Sequence, residues 1–356
     1  MSLILEIPSY THVANQAAAQ RLEGLSELIG NTPLLAVDYE YKGARRTIHA
    51  KCEQMNLTGS IKDRVVYHIF RTAYLSGELQ EGDTIVEVSS GNTGISCAAI
   101  GGAMGHSVLV FMPDWMSSER PQLIRSYGAK VVGVSREEGG FSGCLRLSRE
   151  FAATRTDVFL PRQFENAANV DEHWQGTGPE IWSQLQRDGL EPDAFVAAVG
   201  TGGTVMGVGG FLRSKQPGIR IHPVEPKESR VLSGSGPVGH HRIEGISEEF
   251  VPAILDLNQL DTPVAVSDGD SILAAQSIAL QLGLGVGISS GCNFLAAVRV
   301  QEELGPQSVV ATVFPDDNKK YLSTDLTGSE EVKSGYLSTE IKLLGIRKLP
   351  PAGKPE

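Results

Sequence analysis

The stretch TIVEVSSGNTG (residues 84–94) decides how this chain is predicted to fold. Its first five residues form a short, mostly apolar run that is typical of a buried β-strand. The small polar residues that follow predict a turn, which leads into a helix of small residues. Further strands are predicted at residues 107–112 and 130–134, with a helix between them for which Ser117 and Ser118 are candidate N-caps. Strand–helix–strand–helix–strand at this spacing indicates a parallel sheet covered by helices.

The same alternation returns in the second half of the chain. Strands are predicted at residues 195–199, 219–224 and 308–314, and helices at 205–213, 271–282 and 293–304. We therefore predict an α/β protein of two lobes, each with a mainly parallel sheet flanked by helices. Parallel sheets bind ligands beyond the carboxyl ends of their strands, so the turns at 89–94 and 200–204 lie where a site is expected. From about residue 327 the chain is expected to be loosely held.

Composition excludes several classes of protein. Forty of the 356 residues are glycine, about 11% against an average near 7%, and many of them lie in the predicted turns. The 31 basic and 42 acidic residues give a net charge of −11 without a basic block, which argues against a nucleic-acid binder. No apolar run is long enough to predict a membrane-spanning helix. The four cysteines are far apart in sequence, so we expect no metal site and a reduced, cytoplasmic protein.

The turn GTGGT (residues 200–204) leads from a predicted strand into a helix. Such a turn presents backbone N–H groups and hydroxyls to an anion, such as a phosphate. A dinucleotide-binding fold with Glu225 at a ribose is an alternative, but its G-x-G-x-x-G motif would need glycine where Val205 stands. A tight turn without any ligand is a third interpretation.

Two further segments suggest chemistry. The turn at 89–94 offers hydroxyls and an amide, although a simple helix start would explain it equally. Lys62 follows a Gly-Ser turn and precedes two valines; a solvated lysine is the alternative to a buried one. Burial would lower the pKa of its amine and make it a nucleophile toward aldehydes. Together the three segments indicate a cofactor that carries an aldehyde and a phosphate.

Several more motifs occur in a fixed order around these three. They are IGNTPL (29–34), GSIKDR (59–64), SGNTG (90–94), MSSER (116–120), TGPEIW (177–182), GISSG (287–291) and YLST (321–324). In these motifs the chain resembles the cysteine synthase (O-acetylserine sulfhydrylase) family and its cystathionine β-synthase relatives over about residues 25–325. That family consists of pyridoxal-phosphate enzymes of fold type II, which have a fold like that of the tryptophan synthase β subunit.

The resemblance implies a division of the chain. Residues 1–55 and 165–326 would form a larger cofactor-binding lobe. Residues 56–164 would form a smaller, mobile lobe that carries the carboxylate-binding loop, and residues 327–356 a C-terminal extension. It also implies a homodimer.

The resemblance also implies a role for each site residue. Lys62 would form the Schiff base with pyridoxal phosphate, Asn92 would bond the ring 3-oxygen, and Ser289 would face the pyridine nitrogen. The cofactor phosphate would be held by Gly200, Thr201, Gly202, Gly203 and Thr204. The carboxylate of a small amino-acid substrate would be bound by Ser89, Ser90, Asn92 and Thr93, assisted by Gln163.

The reaction implied is β-replacement on an activated serine, O-acetylserine, with sulfide to make L-cysteine through an aminoacrylate. A neutral hydroxyl at the pyridine nitrogen suits this chemistry, because it does not hold that nitrogen protonated and so disfavours long-lived carbanions and transamination. The expected general base for the α-proton is Lys62.

One departure from the family bears on the substrate. The segment GISEEF (245–250) carries Glu248 and Glu249 where the family commonly has Gly-Ala-Gly. These carboxylates could repel hydrosulfide, favour an amine nucleophile, or activate water so that the enzyme releases sulfide from cysteine. Two solvated loop glutamates are the plain alternative, and homocysteine is a further candidate nucleophile. A nucleotide-binding oxidoreductase and an inactive binding protein are the other classes considered; Val205 argues against the first, and the presence of Lys62 against the second.

Overall fold

The computed structural model describes residues 21–234, 236, 239–246 and 250–352. Its strands are β1 (Leu34–Tyr41), β2 (Ala44–Cys52), β3 (Thr84–Val88), β4 (Ser107–Pro113), β5 (Lys130–Val134), β6 (Val158–Phe159), β7 (Ala194–Ala198), β8 (Arg220–Pro226), β9 (Val264–Val266), β10 (Val310–Phe314) and β11 (Lys342–Lys348). Its helices are α1 (Lys62–Ser76), α2 (Asn92–Ala103), α3 (Glu119–Ser126), α4 (Gly140–Ala153), α5 (Ala168–Glu172), α6 (Gly178–Arg187), α7 (Gly203–Lys215), α8 (Asp268–Leu282) and α9 (Ile288–Leu304). Among these helices none is long and apolar enough to cross a membrane.

The smaller sheet has four strands in the order β5-β4-β3-β6, all parallel. Alternate side chains of β3 enter two different cores. Ile85 packs with α1 and α2, whereas Val86 and Val88 pack beside Cys144 of α4. Because helices cover both faces, the strand is buried on both sides, as expected for a parallel sheet.

The larger sheet has seven strands in the order β11-β1-β2-β10-β7-β8-β9. In this sheet, neighbouring strands are parallel along the order β2-β10-β7-β8-β9, whereas β1 is antiparallel to both β11 and β2. All five residues of the central strand β10 are buried. The prediction of two mainly parallel sheets flanked by helices is therefore confirmed. The division into a larger lobe at residues 1–55 and 165–326, a smaller lobe at 56–164 and an extension at 327–356 stays a proposal.

Two local predictions are wrong. Ser118 stands at the N-cap of α3 but makes no side-chain capping bond, and the Ser117 hydroxyl instead donates to the carbonyl of Lys320 across the lobes (2.7 Å). The chain after residue 327 is not loosely held throughout, since β11 forms the edge strand beside β1. Leu343 in that strand is buried in the core of the larger lobe.

The cysteines are all buried and none forms a disulfide.

The strand ends bring the predicted turns together. The turn after β3, the turn after β7 and Pro315 after β10 all line one cavity between the two sheets. The lobes also touch directly there, because the backbone N–H of Ile61 donates to the carbonyl of Pro315 (2.8 Å). The topology thus places the carboxyl ends of both sheets at a single site.

Candidate active site

Almost all of the predicted site residues meet in this cavity. Those that line it are Lys62, Ser89, Ser90, Asn92, Thr93, Gln163, Gly200, Thr201, Gly202, Thr204 and Ser289. Gly203 lies beside them as the first residue of α7. Glu248 and Glu249 lie outside the described residues.

Lys62 is the first residue of α1 and follows the turn at Gly59. Gly59 has a positive φ of 80°, and its carbonyl accepts a bond from the buried Lys320 amine (2.9 Å). Burial lowers the pKa of the Lys62 amine, and the nearby charge of Asp316 acts in the opposite direction. The net effect favours the neutral amine, which is the form that attacks an aldehyde or accepts a proton.

The two residues after Lys62 anchor the start of its helix. The Asp63 carboxylate accepts from the Thr58 N–H (2.7 Å) and from the Ser96 hydroxyl (2.7 Å). Arg64 is fully buried and donates to Glu53 and Glu180 of the larger lobe. These bonds fix Lys62 at the boundary of the two lobes.

The glycine turn forms a cradle at the N-terminus of the thirteen-residue helix α7. A Cβ on Gly200 would lie 2.5 Å from the carbonyl oxygen of Gly245, and a Cβ on Gly203 only 1.9 Å from Asn169 Oδ1. Side chains are therefore excluded at both positions, and the backbone N–H groups of the first turn stay accessible. A helix N-terminus of this kind binds phosphate.

Two hydroxyls complete the cradle. Thr201 Oγ1 accepts from the Asn169 amide (2.8 Å), and Thr204 Oγ1 lies 3.2 Å from His173 Nε2. Burial lowers the pKa of His173 well below its usual range, so that ring is neutral and adds no charge beside an anion. Asn169 and His173 were not found from the sequence, since neither lies in a recognised motif.

The turn after β3 is held by Gln163. The Thr93 hydroxyl donates to Gln163 Oε1 (2.6 Å), and Gln163 Nε2 donates to the carbonyl of Val88 (2.9 Å). Ser89 Oγ accepts from the Gly91 N–H (2.9 Å). The predicted carboxylate-binding residues Ser89, Ser90, Asn92, Thr93 and Gln163 thus all line the cavity, and Gln163 is bonded to Val88 and Thr93 at the two ends of its amide.

Asn92 and Ser289 face the cavity from opposite lobes. Asn92 begins α2, and its Nδ2 donates to Asp316 Oδ2 (2.7 Å). Its Oδ1 is buried and has no partner within the described ranges. Ser289 lies in the first turn of α9 and presents a neutral hydroxyl.

Arg120 and Glu244 form an ion pair that the sequence did not predict. Arg120 belongs to the smaller lobe, is only 1% exposed and lies over the ring of Tyr321 at 4.7 Å from its centroid. A Cβ on Gly91 would lie 2.2 Å from Arg120 Cδ, so glycine is required there. An arginine at the start of a helix is ordinarily solvated, and no local pattern reveals a partner so distant along the chain.

The donor set fits pyridoxal phosphate. The glycine cradle suits its phosphate, the Lys62 amine its aldehyde, and Asn92 retains unused bonding capacity in the cavity. Within the described residues, no group of three or more His, Cys, Asp or Glu side chains could hold a metal ion.

Comparison with known proteins agrees with this geometry. The family described as "Pyridoxal-phosphate dependent enzyme" matches residues 25–316. A hydrogen sulfide-producing enzyme from Fusobacterium nucleatum is 49% identical, with 94% of this chain and 99% of that chain covered and a TM-score of 0.91. A mutant of that enzyme, complexed with an α-aminoacrylate intermediate, gives a TM-score of 0.90 at 49% identity over 92% of this chain and 99% of that one. A probable cysteine synthase of Bacillus subtilis (strain 168) is 38% identical, covering 85% of this chain and 96% of the relative.

Proposed function

The chain belongs to the family of pyridoxal-phosphate-dependent enzymes, and we propose that it releases sulfide from L-cysteine and replaces it with the hydroxyl of water, giving L-serine. The observation that carries this proposal is the 49% identity, over nearly the whole chain, to a hydrogen sulfide-producing enzyme. Sulfide and α-aminoacrylate, the ligand in that relative's mutant, together account for the atoms of cysteine. A β-thiol amino acid is therefore the substrate that fits best.

The cofactor, when bound, withdraws electrons from the α-carbon of the amino acid, so that the α-proton becomes acidic and a β-substituent can leave. The residues that would hold it are Lys62 at the aldehyde, the 200–204 cradle at the phosphate, Asn92 at the 3-oxygen and Ser289 at the pyridine nitrogen. We assign proton removal at the α-carbon to the Lys62 amine, whose lowered pKa suits a general base.

The substrate carboxylate is assigned to the turn after β3. Ser89, Ser90 and Thr93 of this turn line the cavity, and Gln163 accepts from the Thr93 hydroxyl. The turn also carries Gly91, against which Arg120 packs. Substrate binding and contact between the lobes therefore involve the same short segment, which would exclude bulk water when the lobes close.

Water activation is assigned to Glu248 or Glu249. The residues just before them, Gly245 and Ile246, line the cavity. A carboxylate in this segment would take a proton from the attacking water, which then adds its hydroxyl to the β-carbon.

A second candidate is cysteine synthesis from O-acetylserine and sulfide. The relative from Bacillus subtilis, a probable cysteine synthase at 38% identity, favours it. Both reactions use the same cofactor residues and differ only in which group leaves the β-carbon and which one adds.

The test offers the holoenzyme L-cysteine alone in one tube and O-acetylserine plus sulfide in another. We expect sulfide and serine from the first tube at a rate that exceeds cysteine formation in the second. The products are identified by amino-acid chromatography and a colorimetric sulfide assay. The Lys62→Ala variant is the control and should give neither product.

The role of Glu248 or Glu249 in activating water is tested with separate variants. Glu248→Gln or Glu249→Gln should lower serine formation about 100-fold, since general base catalysis contributes that much or more. If both variants keep the wild-type rate of serine formation, the assignment is wrong. Rapid cysteine synthesis in the second tube with little serine in the first would instead favour the second candidate.

A further inference from the structure

Asp316 is a buried carboxyl group two residues after the end of the central strand β10, and it contacts Asn92. It is fully buried. Its Oδ2 accepts two hydrogen bonds, from Asn92 Nδ2 (2.7 Å) and from the Tyr321 hydroxyl (2.6 Å). A Cβ on Gly287 would lie 2.0 Å from Asp316 Oδ1, so a glycine makes room for this carboxylate.

The contact determines which way the Asn92 amide faces. An asparagine amide has a donor end and an acceptor end, and rotation by 180° exchanges them. Asp316 Oδ2 already receives the Tyr321 hydrogen, so it acts as an acceptor whatever the protonation of the other oxygen. A rotated amide would put Asn92 Oδ1 against it, oxygen to oxygen, and lose the hydrogen bond.

Nothing else within the described ranges holds the amide. Asn92 Oδ1 is buried and has no partner there. The Nδ2 group carries two hydrogens, of which Asp316 takes one. The second hydrogen has no acceptor among the described residues, and Asn92 lines the cavity.

We propose that Asp316 is a positioning residue that locks the Asn92 amide so that its second Nδ2 hydrogen points at the 3-oxygen of the cofactor. The inference rests on the proposed role of Asn92 at that oxygen. An oxygen that carries negative charge in the bound cofactor needs a donor, and the locked orientation supplies one. Because Asn92 begins α2 and Asp316 follows β10, the same bond ties the smaller lobe to the larger one at the cofactor.

Tyr321 restricts the orientation of the Asp316 carboxyl group. The Tyr321 ring lies under the Arg120 guanidinium at 4.7 Å, and its hydroxyl donates to the same oxygen that binds Asn92. Tyr321 is fully buried. The carboxylate therefore has little freedom to turn away from the amide.

The test measures pyridoxal-phosphate binding without substrate in Asn92→Ala, Asp316→Ala and the double variant. Two quantities are read, the dissociation constant by equilibrium dialysis and the visible absorption maximum of the bound cofactor. We expect each single variant to weaken binding about tenfold, the value of one buried charge-assisted hydrogen bond, with the same shift of the absorption band. The double variant should bind no more weakly than Asn92→Ala. Tyr321→Phe removes only the second hydrogen bond to Asp316 Oδ2, and should weaken binding less than Asp316→Ala does.

The possible outcomes test the role of Asp316 separately from the proposed role of Asn92 at the cofactor. If Asn92→Ala binds the cofactor with unchanged affinity and absorption, the proposed role of Asn92 fails. If Asn92→Ala changes both while Asp316→Ala changes neither, or if the two losses add in the double variant, the lock by Asp316 is refuted. Should Asp316→Ala not fold, as judged by circular dichroism, Asn92→Asp tests the same contact from the other side. It sets two carboxyl groups against each other and should weaken binding and shift the band similarly, and an unchanged band there would also refute the lock.

Discussion

Glu87 is a carboxyl group buried inside the smaller sheet, in a strand otherwise made of apolar residues and threonine. Burial raises its pKa to about 8, against a small opposing effect from the Val88 N–H. The folded protein therefore keeps this proton at pH values where the unfolded chain has released it. Stability from this group is fully present below about pH 4.5 and is lost as the pH rises toward 8.

Glu87→Gln should remove that dependence. Between pH 5 and 8 the free energy of unfolding of the variant relative to wild type should rise by about 1.4 kcal/mol per pH unit. Urea denaturation at several pH values measures it. The exposed Glu303→Gln is the control for loss of a charge, and parallel pH curves for wild type and Glu87→Gln would contradict the prediction.

Some site residues are identified by a local sequence motif, and others only by a contact with a residue far away in the sequence. Lys62 and the 200–204 turn were predictable because each motif is local. Asp316 and Arg120 gain their roles from partners that are distant in sequence, Asp316 from Asn92 at a separation of 224 residues. No periodicity or turn signal encodes such a contact, so only the fold could reveal it.

At the level of elements, the strands were predicted best. Residues 84–88 and 130–134 have the predicted bounds, because each is a short run rich in β-branched residues with turn residues beside it. Helix starts were predicted less well. The helix α9 begins at Ile288, not at 293, because the glycine and serine residues of its first turn looked like a loop. Their conformation is set by packing against the neighbouring helix, where Gly291 lies against the backbone of Ser271.

The edge strand β11 offers a matched pair of neighbouring leucines. Leu343 is 8% exposed and belongs to the core of the larger lobe, whereas Leu344 is 38% exposed. Leu343→Ala should lower the free energy of unfolding by about 2–3 kcal/mol, the cost of removing a buried leucine side chain near a core boundary. Leu344→Ala should cost less than about 1 kcal/mol. Equal losses in urea denaturation would show that β11 does not contribute to the core through Leu343.

At the scale of the whole molecule, the two lobes meet through a few specific contacts around the cavity. The Arg120–Glu244 ion pair, the bond from Ser117 to Lys320 and the bond from Lys320 to Gly59 all cross between them. The substrate turn lies directly under the first of these contacts. The homodimer predicted from the family resemblance stays a prediction.

Gly91→Ala should disturb this closure. The new Cβ would overlap Arg120 Cδ and Nε, so the guanidinium must leave its position beside Glu244. We expect kcat/KM for the amino-acid substrate to fall about 100-fold, as a displacement near 1 Å does in an aligned site. The control is Gly218→Ala, where a Cβ has open space, and wild-type kinetics in Gly91→Ala would contradict this account of closure.

The burial of the four cysteines has a consequence for the proposed release of sulfide. Burial raises the pKa of Cys52 to about 12 and of Cys292 to about 12, and it raises that of Cys97 as well. Thiols that stay protonated and shielded are poor targets for polysulfides and other oxidised sulfur. Polysulfides form when released sulfide is oxidised, and packing alone shields these thiols from persulfidation by them.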